Sequence, residues 1–208
     1  MKFLRTLAVV LPLAAAPAIQ AQLLLDTGPG GSTTNRGANS GPGQGVSVST
    51  ATTLTQMGFY LGSRSGGNLK FMIWDGANST LLFSTVRGIG VTPDDSRTLS
   101  DPFSFALAVG STYNFGIISD NPLDVSYFFP PLVWSQNGLT LVGTNTNYDG
   151  SYANPTPTTG GAASIALVLY GTQSATTVPE PASIALLAPG LVGVFAAARR
   201  RRTAPAPV

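Results

Sequence analysis

The 208-residue sequence contains no cysteine and no histidine, and its one glutamate is Glu180. Without cysteine there is no disulfide, no thiolate nucleophile and no sulfur-ligated zinc. Without histidine the usual acid–base group near neutral pH is missing, and with it any Ser-His-Asp triad. A glycosidase needs two carboxylates facing one cleft. Only aspartates are available for that, and they are spread across turns with no recognisable pair. Lys70 sits in a strand-like stretch, with no motif that marks a serine partner for it. Asp94, Asp95 and Asp101, and Asp120 with Asp124, match no calcium-loop spacing and read as turn and capping residues. No catalytic, cofactor-binding or metal-ligating residue is therefore expected.

What the sequence does have is concentrated at its two ends. Lys2 and Arg5 precede an apolar stretch over 7–16, and Ile19-Gln20-Ala21 closes it with a small residue. That order is a secretory signal peptide, 1–21, cut by signal peptidase between Ala21 and Gln22. At the other end, residues 182–198 carry no charge and one polar side chain, Ser183, and then come Arg199, Arg200, Arg201 and Arg202. At about 1.5 Å per residue, a helix of that length just crosses a hydrocarbon layer of roughly 30 Å. The arginine block stays on the cytoplasmic side, so a transmembrane helix over 182–198 has its N-terminal end facing outward. A tail, 203–208, follows.

Val178-Pro179-Glu180-Pro181, the short apolar helix and the terminal arginine cluster, in that order, resemble a PEP-CTERM sorting signal over 179–202. The resemblance implies recognition and cleavage by an exosortase, a membrane-embedded transpeptidase-like enzyme of Gram-negative bacteria. It implies an inner-membrane-anchored intermediate, then delivery to the cell surface or the extracellular exopolysaccharide matrix.

The ends also account for the charge. The whole chain is +2, yet residues 22–178 hold five basic and eight acidic residues, a net of −3. The basic character belongs to the address segments, and nucleic acid is not an expected partner.

Residues 22–171 form one domain, and 172–178 read as a polar linker. Met57, Phe59 and Leu61 alternate with polar or small neighbours; so do Leu69, Phe71 and Ile73, then Phe103, Phe105 and Leu107, and Tyr113, Phe115 and Ile117. A two-residue period puts each set on one sheet face. Turns are expected at 62–68, Asp75-Gly76, Gly110-Ser111 and Asp120-Asn121-Pro122. Further strands are expected near 23–26, 46–50, 80–85, 125–129, 139–143 and 164–170. Segment 27–45 reads as a long loop, 87–101 as a connection with one short strand, and 148–161 as loop. No helical repeat occurs in this part, so the fold class is all-β, an antiparallel β-sandwich or jelly roll. The stretch from Leu54 to Thr85, followed by Pro102-Phe103 and the run from Gly110 to Gly116, is similar to β-sandwich domains of exported bacterial proteins. These include the anchor-type families found next to PEP-CTERM signals.

The expected role is structural or adhesive and non-catalytic, at the cell surface or in the matrix. The alternative is a carbohydrate-binding module for exopolysaccharide, with Tyr60, Trp74 and Trp134 as stacking rings; the competing assignment for Tyr60 and Trp74 is a second hydrophobic layer. An Asp-dependent hydrolase is the third reading.

Overall fold

The computed structural model describes residues 21–173, which contain fifteen strands and no helix. All but the last residue of the expected signal peptide (1–21), the sorting signal over 179–202 with its expected transmembrane helix over 182–198, and the rest of 174–208 lie outside the described residues. Among the described residues no helix is long and apolar enough to cross a membrane.

The strands are β1 (Gln22–Asp26), β2 (Ser32–Arg36), β3 (Gly41–Val48), β4 (Thr52–Ser63), β5 (Gly67–Asp75), β6 (Leu81–Ile89), β7 (Thr92–Leu99) and β8 (Phe105–Leu107). They continue as β9 (Thr112–Ser119), β10 (Leu123–Phe128), β11 (Ser135–Gln136), β12 (Leu139–Gly150), β13 (Pro155–Thr159), β14 (Ser164–Ile165) and β15 (Leu167–Gln173). The first sheet has eight strands in the order β1-β15-β4-β10-β14, with β2 on β10 and β7 and β8 on β4. The second has seven, in the order β11-β12-β3-β9-β5-β6, with β13 on β12. Every pairing is antiparallel. The protein is a β-sandwich.

The alternating residues form its core. Met57, Phe59 and Leu61 of β4 meet Leu69, Phe71 and Ile73 of β5 and Tyr113, Phe115 and Ile117 of β9 in one buried cluster. The Phe59 and Phe71 rings join the two sheets with centroids 6.4 Å apart. Burying each such side chain contributes about 1.5–3 kcal/mol, and with no cysteine this burial takes the place of a covalent staple.

Four segments differ from expectation. Segment 27–45 is not a long loop but holds β2 and most of β3. Its glycines hide it, because Gly41, Gly43 and Gly45 lower strand propensity. They are there for close approach: a Cβ on Gly41 would lie 1.9 Å from the Ile117 carbonyl oxygen. Pro42 precedes the point where β9 joins at Gly43, so its missing N–H interrupts no pairing with β9. The connection 87–101 holds the end of β6 and all of β7, one strand in each sheet. Segment 148–161 carries the end of β12 and the edge strand β13, whose Pro155 and Pro157 an edge tolerates. Finally, Thr172 and Gln173, expected in the linker, belong to β15, where they pair with Thr53 and Thr52.

A smaller apolar layer covers the outer face of the second sheet. Met72, Trp74, Ile118 and Tyr148 are buried there, with Tyr152 packed against them. The Tyr148 ring lies over the cross-strand pair Gly43–Gly116, and a Cβ on Gly116 would come within 2.2 Å of it. Gly116→Ala is therefore expected to destabilise the domain by about 1–3 kcal/mol through overpacking. Denaturant unfolding of the variant, alone and combined with Tyr148→Ala, checks this. The alanine should cost less once the ring is gone.

Candidate functional site

The three rings expected to stack on a ligand do not share a surface. Tyr60 alternates with core residues of β4 and points out of the first sheet, where it is 9% exposed. Its hydroxyl donates to Asp26 Oδ1 at 2.9 Å, while Arg97 Nη1 stands 3.9 Å from Asp26 Oδ2. The Asp26 carboxylate also accepts from the Gly28 N–H at 2.8 Å. Tyr60 thus ties β1 and the turn after it to β4. Burial first, and then the bond to Asp26, push its pKa up to about 12. Trp74 points out of the other sheet, is 7% exposed and stacks on Tyr148 with centroids 5.7 Å apart. It occupies the second hydrophobic layer. Trp134, at 39%, is the only exposed one of the three, and it lies beside the exposed Val133.

Lys70 also points outward from β5. Its ammonium donates to the carbonyls of Tyr152 and Ala153 and lies 4.8 Å from the centre of the Tyr152 ring. Burial lowers its pKa. The amine holds the loop between β12 and β13 against the sheet, with the Tyr152 N–H donating to Asn39 Oδ1 at 2.9 Å.

The aspartates act as local ties. Asp75 accepts from Ser79 and from the Thr80 N–H, and the Ser79 bonds hold its pKa below the usual range. Asp120 accepts from the backbone and side chain of Asn68, both at 2.7 Å. Asp124 lies on β10 rather than in a turn; it is buried and held by Arg64 at 3.0 Å and Asn35 at 2.9 Å. Among the described residues no group of three or more carboxylate, imidazole or thiol side chains is placed to hold a metal ion.

Beside the aromatic layer, Asn78, Asn145, Thr146, Thr158 and Thr159 line an open cleft of about 450 Å³. Asn78 donates to Thr146 Oγ1 at 3.1 Å and accepts from the Tyr148 hydroxyl at 3.3 Å. Asn145 Oδ1 is buried without a partner. The polar side chains of this lining are amides and hydroxyls, beside Ala77, Pro157 and Gly160, so it offers neutral hydrogen bonding. Sequence reasoning did not find it, because its residues come from a turn after β5 and from β12 and β13, in segments read as loop.

Ala21 is exposed, and Gln22 opens β1 opposite Gly171 of β15. Val178, Pro179, Glu180, Pro181 and Arg199 to Arg202 lie outside the described residues. They fall within the match of a family model described as the PEP-CTERM protein-sorting motif, which covers residues 177–202. The chain is a PEP-CTERM protein. As such it is an exosortase substrate, exported and held in the membrane before it reaches the cell surface. No curated protein matches the chain.

The raised pKa of Tyr60 gives a pH dependence. The folded state keeps the phenol proton more tightly than the unfolded chain, whose tyrosines ionise near 10. The contribution is complete below pH 10 and is lost as pH rises toward 12. Tyr148, raised by burial, adds loss in the same direction. Unfolding free energies measured from pH 9 to 12 should fall, and Tyr60→Phe should make the fall shallower.

Proposed function

We infer that this PEP-CTERM protein serves a structural or adhesive, non-catalytic role at the cell surface or in the exopolysaccharide matrix. The observation that carries this is what the sandwich does with its chemical groups. Lys70 and the aspartates Asp26, Asp75, Asp120 and Asp124 are all engaged in holding strands, turns and loops together. Processing by signal peptidase between Ala21 and Gln22 would leave every residue of β1 in place. Val178 to Pro181 and Arg199 to Arg202 are the residues assigned to sorting.

A second reading, a carbohydrate-binding module, is favoured by the cleft at Asn78, Asn145 and Thr146. A neutral hydroxyl-bearing ligand is the class that amides and hydroxyls recognise, and Asn78, Asn145, Thr146, Thr158 and Thr159 bring such groups to the cleft lining. On this reading exopolysaccharide is the partner, and the cleft rather than a row of rings is its site.

One complementation experiment tests both. Cells lacking the protein should show weakened surface-layer cohesion, restored by the full chain. A chain with Arg199→Gln, Arg200→Gln, Arg201→Gln and Arg202→Gln should fail to restore it because delivery fails; full restoration would contradict the assignment. Asn145→Ala, delivered normally, should restore cohesion under the structural reading and fail under the carbohydrate reading.

A further inference from the structure

A sheet ends in strands whose outward N–H and C=O groups can pair with another chain, and proteins blunt such edges by a few known means. In this sandwich nearly every edge is blunted. β13 carries Pro155 and Pro157, β11 has two residues and β8 three. β7 carries Pro93, Asp94, Asp95 and Arg97, and β2 is short and wholly polar. β1 is capped from the side: Asn137 Nδ2 donates to the Leu24 carbonyl at 2.9 Å, and the Asp26 N–H donates to Gln136 Oε1 at 3.1 Å.

β6 carries no proline and is not short; its one irregularity is at Leu82, which the ladder with β5 skips between Phe83 and Leu81. The strand is nine residues long, Leu-Leu-Phe-Ser-Thr-Val-Arg-Gly-Ile, and among the described residues it pairs only with β5. Leu81, Leu82 and Val86 are exposed, Val86 at 47%. Its single charge, Arg87, is already engaged: Nη1 donates to the Leu99 carbonyl at 2.6 Å, and Nε lies 3.9 Å from Asp101.

We propose that β6 is the self-association edge of this protein, pairing antiparallel with β6 of a second copy. The occupant follows from the strand's own pattern. A twofold axis at Thr85 sets Thr85 against Thr85, Ser84 against Val86 and Phe83 against Arg87, all on the regular side of the shift at Leu82. No like charges meet, because each guanidinium faces a phenylalanine, and Val86 of both copies lies on one outer face. A pairing of this kind uses the same patch on both copies and closes both edges at once. It joins two seven-stranded sheets into one continuous sheet. It gives the adhesive reading a molecular basis yet does not depend on delivery, so it is tested on purified protein.

The full-length chain in detergent is analysed by multi-angle light scattering over a range of concentrations. The expected particle contains two chains, and Val86→Lys, a change at an exposed position, reduces it to one. Asp95→Lys on the β7 edge leaves the two-chain particle intact. Because the chain has no native cysteine, Thr85→Cys should form an intermolecular disulfide on mild oxidation while Gly88→Cys should not. A single-chain particle at every concentration overturns the proposal. So does a dimer that survives Val86→Lys, or cross-linking that is equal at positions 85 and 88.

Discussion

The pairing of β1 with β15, and of β15 with β4, is the constraint on which the rest of this domain depends. β15 lies between the other two with Leu167, Val168 and Leu169 fully buried. Its antiparallel register places Gln22 against Gly171 and Gln173 against Thr52. The first and last strands are therefore neighbours, and the described chain begins and ends at the same end of the sandwich. There is no disulfide to enforce this, since the chain has no cysteine. It rests on ladder hydrogen bonds, on apolar burial, and on the Asp26–Tyr60 bond that ties β1 across to β4. Under the proposed cleavage before Gln22, β1 and its pairing with β15 stay whole.

The two faces and the edges of the sheets divide the remaining work. The inner faces carry the alternating apolar residues and supply most of the stabilisation. The outer face of the second sheet is shielded by Trp74, by Tyr148, whose ring lies over Gly43 and Gly116, and by the loop that Lys70 holds down. Among the accessible surfaces are the polar cleft beside this layer and the edge strand β6. Under the proposed structural or adhesive role, these surfaces rather than a reactive centre would carry the function.

Strands with a plain two-residue period were legible from the sequence. β4, β5 and β9 lie where Met57, Phe71 and Phe115 and their neighbours placed them, because one inward face fixes the register. Strands defined by their partners were not. The first part of β3, 41–45, is glycine-rich and is a strand because β12 and β9 flank it; only its end, 46–48, fell in a stretch expected as a strand. The same holds for β13, whose prolines suggest a loop until its edge position is known. At the site level, burial separated the rings: Tyr60 and Trp74 point out of opposite sheets, and alternation alone could have placed each outward but not told which outer face was covered. Gly116 at an alternating position between Phe115 and Ile117 was the one visible sign of the Tyr148 ring above it. The sorting motif was fully legible, because its information is the order of residues along the chain rather than their fold.

The central claim is that a folded sandwich is exported with both address segments removed or used in transit. Mass spectrometry of the chain's termini, on protein recovered from the surface of intact cells, tests it most directly. The account predicts an N-terminus at Gln22 and a C-terminus that no longer includes Arg199 to Arg202. Recovery of the chain only from the cytosol, with Met1 and Val208 both present, would contradict it.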